Sequence, residues 1–137
     1  MLIDKLIRVN IIEKLKDNVS INGNSVPVFN NVPNSQTKPY IEIIGQNTVT
    51  DGGNKDNRAF LSNVPIRILT VGYAGAGGDE EADIIEQQVI DLIDNQVQVQ
   101  GYSVVSDDYT SLTLNQDNGR EYQTNKILNF FFTVYKN

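Results

Sequence analysis

The fold is decided by residues 60–94, FLSNVPIRILTVGYAGAGGDEEADIIEQQVIDLID. Residues 66–71 are apolar and rich in β-branched side chains, a composition typical of a central strand. Residues 72–78 are predicted to form a glycine-rich turn, after which three acidic residues open a helix. Apolar side chains recur along that helix at three- and four-residue spacing: Ala82, Ile85, Val89, Leu92 and Ile93. Because this apolar stripe must be buried and the preceding strand is the nearest apolar element, we predict that the helix packs on that strand. The unit is therefore expected to be part of the structural framework rather than an active site.

The composition is that of one soluble globular domain. The chain has 137 residues, of which 39% are hydrophobic and 20% charged, and this length suffices for one hydrophobic core but not for two. No apolar run approaches the roughly 20 residues that cross a bilayer. The first five residues lack the pattern of a signal peptide. We therefore expect residues 1–137 to form a single domain that has no membrane partner.

The absence of cysteine and of histidine argues against Ser-His-Asp hydrolases, Cys-His hydrolases and most zinc enzymes. Without cysteine there is no disulfide, thiolate nucleophile or thiolate metal site. Without histidine the usual general base and the commonest transition-metal ligand are missing. The formal charge of −6, with the basic residues scattered, argues against a nucleic-acid-binding surface. The sequence therefore offers no candidate catalytic residue, cofactor site or metal site built on these two residue types.

The first helix is predicted over residues 2–18, and it is apolar around much of its circumference. Its main apolar row consists of Ile3, Ile7, Ile11 and Leu15. Val9 and Ile12 fall outside that row. Either the helix is wedged deeply into its own domain, or one flank meets a neighbouring subunit, with Ile12 as a candidate contact. On the second helix Ile84 lies nearly opposite the apolar stripe and is a further candidate.

The strands are predicted from alternating apolar residues and from turn signals. An Asn-Gly pair at residues 22–23 marks a tight hairpin over residues 20–26, with residues 26–29 as its second arm at a sheet edge. Further strands are predicted at residues 39–46, from residue 60 onward, at 101–105 and at 109–114, followed by a turn at 115–120. Pro65 requires an edge position or a bulge in the long strand.

The last strand is predicted over residues 127–135 and should hold the aromatic core. Leu128, Phe130 and Phe132 share one of its faces. The order of elements is helix, hairpin, strands, helix and strands, which is typical of an α+β fold with a mainly antiparallel sheet. We predict that two α-helices pack on one face of that sheet.

No group of residues has the spacing that catalysis or ligand binding requires. The glycine-rich turn matches neither G-x-G-x-x-G nor the P-loop, and the acidic residues 79–81 would repel a phosphate from the helix N-terminus. Residues 51–57 lack the calcium-loop pattern. Paired carboxylates could hydrolyse glycosides, but no tryptophan is present to stack a sugar. A small ligand-binding domain that uses residues 72–78 remains an alternative.

Two neighbouring passages carry a resemblance to a known family. Residues 26–33 read VPVFNNVP, and residues 39–46 read PYIEIIGQ after a short polar loop. The chain resembles the tail-terminator, or tail-completion, proteins of long-tailed bacteriophages. Those proteins commonly begin with a helix and continue with such a passage, a polar loop, a long strand, a helix and further strands. The same order extends over nearly the whole chain.

The resemblance implies a structural virion protein that is not an enzyme. Such a protein forms a ring, typically of six subunits, on the last ring of the tail-tube protein. It stops tube polymerisation and offers its other face to a head-completion protein. Its location is then the head-proximal end of the tail in the virion, after assembly in the host cytoplasm. DNA passes through the lumen without specific binding, which suits a net negative charge. A head-completion or connector adaptor subunit is an alternative of the same class.

By analogy with that family, the polar segment at residues 50–58 is expected to reach toward a neighbouring ring or toward the lumen. It is the most polar segment of the chain and lies between two predicted strands. The candidate interface residues in it are Asp51, Asn54, Lys55, Asp56 and Arg58.

Overall fold

The computed structural model describes residues 1–33, 35–51, 59–72, 78–117, 119 and 121–137, with only the backbone described at residue 51. Within these ranges the helices are α1 (Leu2–Leu15) and α2 (Gly78–Ile93). The strands are β1 (Ser20–Ile21), β2 (Asn24–Ser25), β3 (Val28–Phe29), β4 (Tyr40–Ile43), β5 (Asn47–Asp51), β6 (Ala59–Gly72), β7 (Tyr102–Ser106), β8 (Thr110–Asp117) and β9 (Tyr122–Lys136). The predicted α+β fold is confirmed.

Two long strands form the centre of the main sheet. β6 and β9 pair antiparallel along all 14 residues of β6, from Ala59 opposite Tyr135 to Gly72 opposite Tyr122. At about 3.3 Å per residue this ladder is roughly 45 Å long. β4 and β5 pair with β6 on one side, and β7 and β8 pair with β9 on the other. These pairs are antiparallel, and β3 joins the edge parallel to β4, so the mainly antiparallel sheet is confirmed.

A bulge interrupts the strands that flank β6. Ile43 pairs with Ile66, whereas Asn47 pairs with Asn63, so three residues lie opposite two. Pro65 lies at this bulge, where its carbonyl accepts a hydrogen bond from the Ile44 N–H at 3.1 Å. In an antiparallel strand, the backbone N–H and C=O of one residue point toward the same neighbouring strand. The side of β6 on which Pro65 lacks an N–H is therefore the side where the ladder is already interrupted by the bulge. The sequence predicted an edge position or a bulge in the long strand itself; the bulge lies instead in the neighbouring strands, and β6 pairs with β9 without interruption.

One face of the sheet carries the core, and both helices pack on it. The buried residues of β6 and β9 on this face include Val64, Ile66, Ile68, Leu128, Phe130, Phe132 and Val134. The helices add Ile3, Ile7, Ile11, Leu15, Ala82, Ile85, Val89 and Ile93. Leu92, which the periodicity placed in the stripe, is only partly buried. The aromatic core of the last strand and the packing of two helices on one face are confirmed.

Two boundaries near the N-terminus differ from the prediction. α1 ends at Leu15 rather than residue 18, because Asp17 adopts a φ of 62°, which a right-handed helix does not accommodate. The tight Asn22-Gly23 turn is confirmed, with both residues at positive φ. Its second arm is β2 rather than residues 26–29. Val28 and Phe29 leave the hairpin and pair with β4 as an edge strand.

The C-terminal hairpin is longer than predicted. β8 extends to Asp117 and β9 begins at Tyr122, where the sequence predicted a turn at residues 115–120 and a strand only from residue 127. The added residues are polar and give no apolar alternation that would mark a strand. The turn itself is tightened by Gly119, whose φ is 89° and whose N–H donates to Asp117 Oδ1 at 2.8 Å.

The start of α2 is fixed to the central strands by two buried hydroxyl groups. Thr70 donates a hydrogen bond to the carbonyl of Gly78 at 2.7 Å, and Thr124 donates to Asp79 Oδ1 at 2.7 Å. Both threonines are fully buried. Asp79 also places a negative charge at the positive end of the helix dipole. The helix is therefore oriented by polar contacts as well as by its apolar stripe.

We expect Gly78→Ala to destabilise the protein, because a Cβ there would be crowded. It would lie 3.1 Å from Thr124 Oγ1 and 3.3 Å from the backbone nitrogen of Gly72. Overpacking of this kind costs about 1–3 kcal/mol in the free energy of unfolding, which chemical denaturation measures. Gly45→Ala is the matched control, since its nearest contact is an ordinary 3.9 Å to Pro65. Equal losses in the two variants would contradict this explanation.

Candidate assembly interface

β8 is an edge strand exposed along its whole length. All eight of its residues are exposed, and within the described part of the chain it pairs only with β9. Its other edge therefore presents a row of backbone N–H and C=O groups. Soluble proteins usually protect such edges with lysine, proline or a bulge. The β8 sequence TSLTLNQD has no lysine or proline and carries no charge before Asp117. These are features of a strand that pairs with another chain.

Two leucines make one side of β8 apolar. Leu112 and Leu114 are 52% and 50% exposed. They pair with Ile127 and Asn125 of β9, which lie on the face of the sheet opposite the helices. A pairing strand would cover apolar area here in addition to the backbone groups.

The other lateral edge of the sheet differs from β8 in sequence and in direction. It is formed by β3 and β5, which pair with β4 and β6 respectively. Following the pairs across the sheet, β8 runs antiparallel to both β3 and β5. A second copy placed alongside in the same orientation would therefore bring its β3–β5 edge antiparallel to β8. The two lateral edges of the sheet are therefore not equivalent, since one is formed by β7 and β8 and the other by β3 and β5.

A second apolar surface lies on the same face of the sheet, toward the other end of the long strands. It consists of Val49, Leu61, Val105, Phe131 and Tyr135, hereafter the apolar patch. These side chains are between 39% and 48% exposed. A depression of about 270 Å³, lined by Val49, Leu61 and Phe131 among others, lies within the patch. Contiguous exposed apolar surface of this kind marks contact sites between proteins.

Lys126 links β9 to α2 through an ion-pair cluster. Its Nζ lies 2.8 Å from Asp83 Oδ1 and 3.5 Å from Glu86 Oε2. Burial by itself lowers the pKa of Lys126, but the hydrogen bond to Asp83 and the charges of both carboxylates outweigh it, so the pKa is raised. Glu86 also accepts a hydrogen bond from the Ser111 hydroxyl of β8 at 2.6 Å. This cluster fixes β8 beside α2.

The structure places three of the predicted interface residues on three different elements. Ile12 is partly buried against the core, whereas Ile84 is 45% exposed on the solvent side of α2. Asp51 ends β5 opposite Ala59. The other candidates, Asn54, Lys55, Asp56 and Arg58, lie outside the described residues, as do residues 73–77 of the glycine-rich turn. The roles of all these residues stay predictions.

The sequence predicted the strand at residues 109–114 but not its exposed position at the sheet edge, and it gave no sign of the apolar patch. The alternation of Leu112 and Leu114 with polar residues indicates a strand with one apolar side. The pattern does not show that this side is uncovered, since only the sheet order reveals that the helices cover the opposite face. Among the described residues, no group of acidic side chains could hold a metal ion. No helix in the described ranges is long and apolar enough to cross a membrane.

The same fold occurs in a virion. A chain in the virion of the native gene transfer agent (GTA) particle superposes with a TM-score of 0.61, covering 95% of this chain and 96% of that chain. The sequence identity is 10%, so the similarity establishes a common fold. No protein-family profile matches this chain, and no curated protein matches it.

Proposed function

We propose that this protein is a structural virion protein whose single domain, residues 1–137, forms a ring that ends the tail tube of a phage-type particle. The ring would stop tube polymerisation and provide the surface for head attachment. The observation that carries the proposal is the pair of non-equivalent sheet edges, of which β8 is exposed along its whole length. The fold shared with a GTA virion chain supports the proposal that this protein is part of a virion. The resemblance to tail-terminator proteins supports the position in the tail.

The two edges favour a closed ring over a two-fold dimer. When one surface of a subunit binds a different surface of the next, the contact is heterologous, and repeated rotation closes it into a ring. In this protein β8 of one copy would pair antiparallel with the β3–β5 edge of the next. Every copy then uses both β8 and its β3–β5 edge, so β8 does not stay exposed.

The apolar patch suits a contact with a neighbouring virion protein, either the tail-tube protein or the head-completion protein. It lies around β5 and β7, whereas β8 pairs with the other half of β9. Both surfaces can therefore be covered at the same time. Asp51 ends β5 opposite Ala59, which pairs with Tyr135 of the patch. The predicted contact of residues 50–58 with a neighbouring ring would start at this point.

The proposed role needs no catalytic residue, cofactor or metal. DNA would pass through the lumen without specific binding, and a net charge of −6 repels its phosphates. The protein would assemble in the host cytoplasm and remain in the virion.

Light scattering after size-exclusion chromatography, across a concentration series, tests the proposal. We expect a closed ring of about six subunits, as heterologous contacts with cyclic symmetry allow, and negative-stain images of that species should show it directly. A monomer or a two-fold dimer at every concentration would contradict the proposed function.

A further inference from the structure

The two helices lie side by side over the sheet, and each has one flank that faces away from the other. On α2, Gln88 is bonded to both backbone groups of Ser20, at 3.0 and 2.8 Å, so this flank faces β1. On α1, Asn10 accepts a hydrogen bond from the Gln98 N–H at 3.1 Å, so this flank faces the segment that follows α2. The opposite flanks face outward. That of α2 lies beside β8, where Glu86 meets Ser111, and that of α1 lies toward β3 and β4.

The outward flank of α2 is acidic. At about 100° per residue it carries Asp79, Asp83, Glu86 and Ile90, and Asp94 follows directly after the helix; these residues are hereafter the acidic flank. The helix contains six acidic residues and no lysine or arginine. Lys126 offsets part of the charge through Asp83 and Glu86. The remaining carboxylates leave this side of the molecule negative.

The outward flank of α1 is basic. It carries Lys5, Arg8 and Ile12, and Lys16 follows directly after the helix; these residues are hereafter the basic flank. Asp4, the acidic neighbour on this side, is paired with the N-terminal amine at 3.3 Å. Arg8 donates a hydrogen bond to the side chain of Gln46 at 3.0 Å. Because this side chain is neutral, the contact does not compensate the positive charge of Arg8. Lys16 and Val28 line one depression, which places the basic flank next to the β3 edge.

We infer that the acidic flank of one copy packs against the basic flank of the next copy in the ring. The occupant of each flank is a second copy of this chain, and the inference rests on the proposed ring. The flanks lie over the two edges that would pair, so the helix contact continues the sheet contact. Each flank also has an isoleucine near its middle, Ile90 or Ile12, which gives the charged contact an apolar centre.

The same charges disfavour wrong arrangements. A two-fold dimer through α2 would bring two acidic flanks together, and a two-fold dimer through α1 would bring two basic flanks together. Like charges placed opposite each other at an interface are costly. The helix layer thus selects the head-to-tail arrangement, in which β8 meets the β3–β5 edge.

Two complementary charge-reversal variants test the inference. Lys5→Glu/Lys16→Glu leaves a net negative charge on both flanks, and Asp83→Lys/Asp94→Lys leaves a net positive charge on both flanks when Lys126 is counted with the flank of α2. We expect each variant alone to need at least about tenfold more protein than the wild type for half-assembly at 0.1 M salt, because close charge pairs at interfaces are coupled. An equimolar mixture should assemble at a lower protein concentration than either variant alone, since alternating copies restore opposite charges at every contact.

The control is Glu80→Lys/Asp91→Lys, which makes the same charge change on the solvent side of α2 and should assemble like the wild type. Normal assembly of Lys5→Glu/Lys16→Glu alone would overturn the inference and leave the proposed ring intact. The inference would also be overturned if the control assembled as poorly as Asp83→Lys/Asp94→Lys, or if the equimolar mixture did not assemble. A wild-type protein that never forms a ring would overturn the proposed function itself, and this inference with it.

Discussion

Leu112→Lys/Leu114→Lys is expected to abolish ring assembly while the monomer stays folded. Both side chains are about half exposed, and neither belongs to the core. In the proposed ring they would be covered by the neighbouring strand. Two lysine ammonium groups at these positions would lose their hydration without gaining a group of opposite charge. Lysine on an edge strand is also the usual protection against strand pairing. We expect the half-assembly concentration to rise by at least about a hundredfold, equivalent to roughly 3 kcal/mol.

The measurement is light scattering over a concentration series, with circular dichroism to verify the fold of the monomer. Leu2→Lys/Val9→Lys is the matched control, because it adds the same charge to exposed apolar positions on the solvent side of α1. Leu2 and Val9 are 68% and 42% exposed. If the β8 variant still formed rings like this control, β8 would not be the pairing strand.

Phe130→Ala is expected to cause the largest loss of folding stability. Phe130 is 2% exposed and packs between two other rings. Its centroid lies 5.7 Å from that of Tyr109 and 6.4 Å from that of Phe132. Removing a buried aromatic ring costs about 3–5 kcal/mol in the free energy of unfolding. Since domains of this size are stable by only about 5–15 kcal/mol, the variant should be close to unfolding.

Phe131→Ala is the matched control, because Phe131 is the next residue in β9 and points to the opposite face, where it is 39% exposed. We expect it to cost less than about 1 kcal/mol in the monomer. Denaturant unfolding should be measured in the Leu112→Lys/Leu114→Lys background, so that assembly does not stabilise either variant. Equal losses for Phe130→Ala and Phe131→Ala would show that the core does not lie on the helix face.

Most of the fold could be predicted because its central elements are strongly patterned. The β-branched run at residues 66–71 became the middle strand, the stripe from Ala82 to Ile93 became the buried side of α2, and alternation in the last strand marked the core. These elements all pack on one large core. A helix or strand that packs on a core needs apolar residues at the spacing that returns to its buried side, and this spacing is visible in the sequence. The parallel pairing of β3 with β4 has only two residues in β3, which is too few to leave a pattern.

The candidate interface was predictable only in part, because exposure depends on the order of strands in the sheet. Ile12 is a candidate contact because it breaks the apolar row of α1; the structure shows it partly buried against the core, and its role in a contact stays a prediction. Leu112 and Leu114 look like ordinary strand residues in the sequence. Only the position of β8 at the sheet edge shows that no part of the described chain covers them.

The long ladder between β6 and β9 also has a mechanical consequence. Hydrogen bonds between antiparallel strands run perpendicular to the strand direction. A pull along the strands therefore loads all the bonds of the ladder in shear at once, whereas a sideways pull opens them one after another. α2, with 16 residues, is about 24 Å long at 1.5 Å per residue, little more than half the ladder. The strand direction is thus the stiff axis of the subunit, and tension applied along it would be carried by the sheet backbone rather than by the helices.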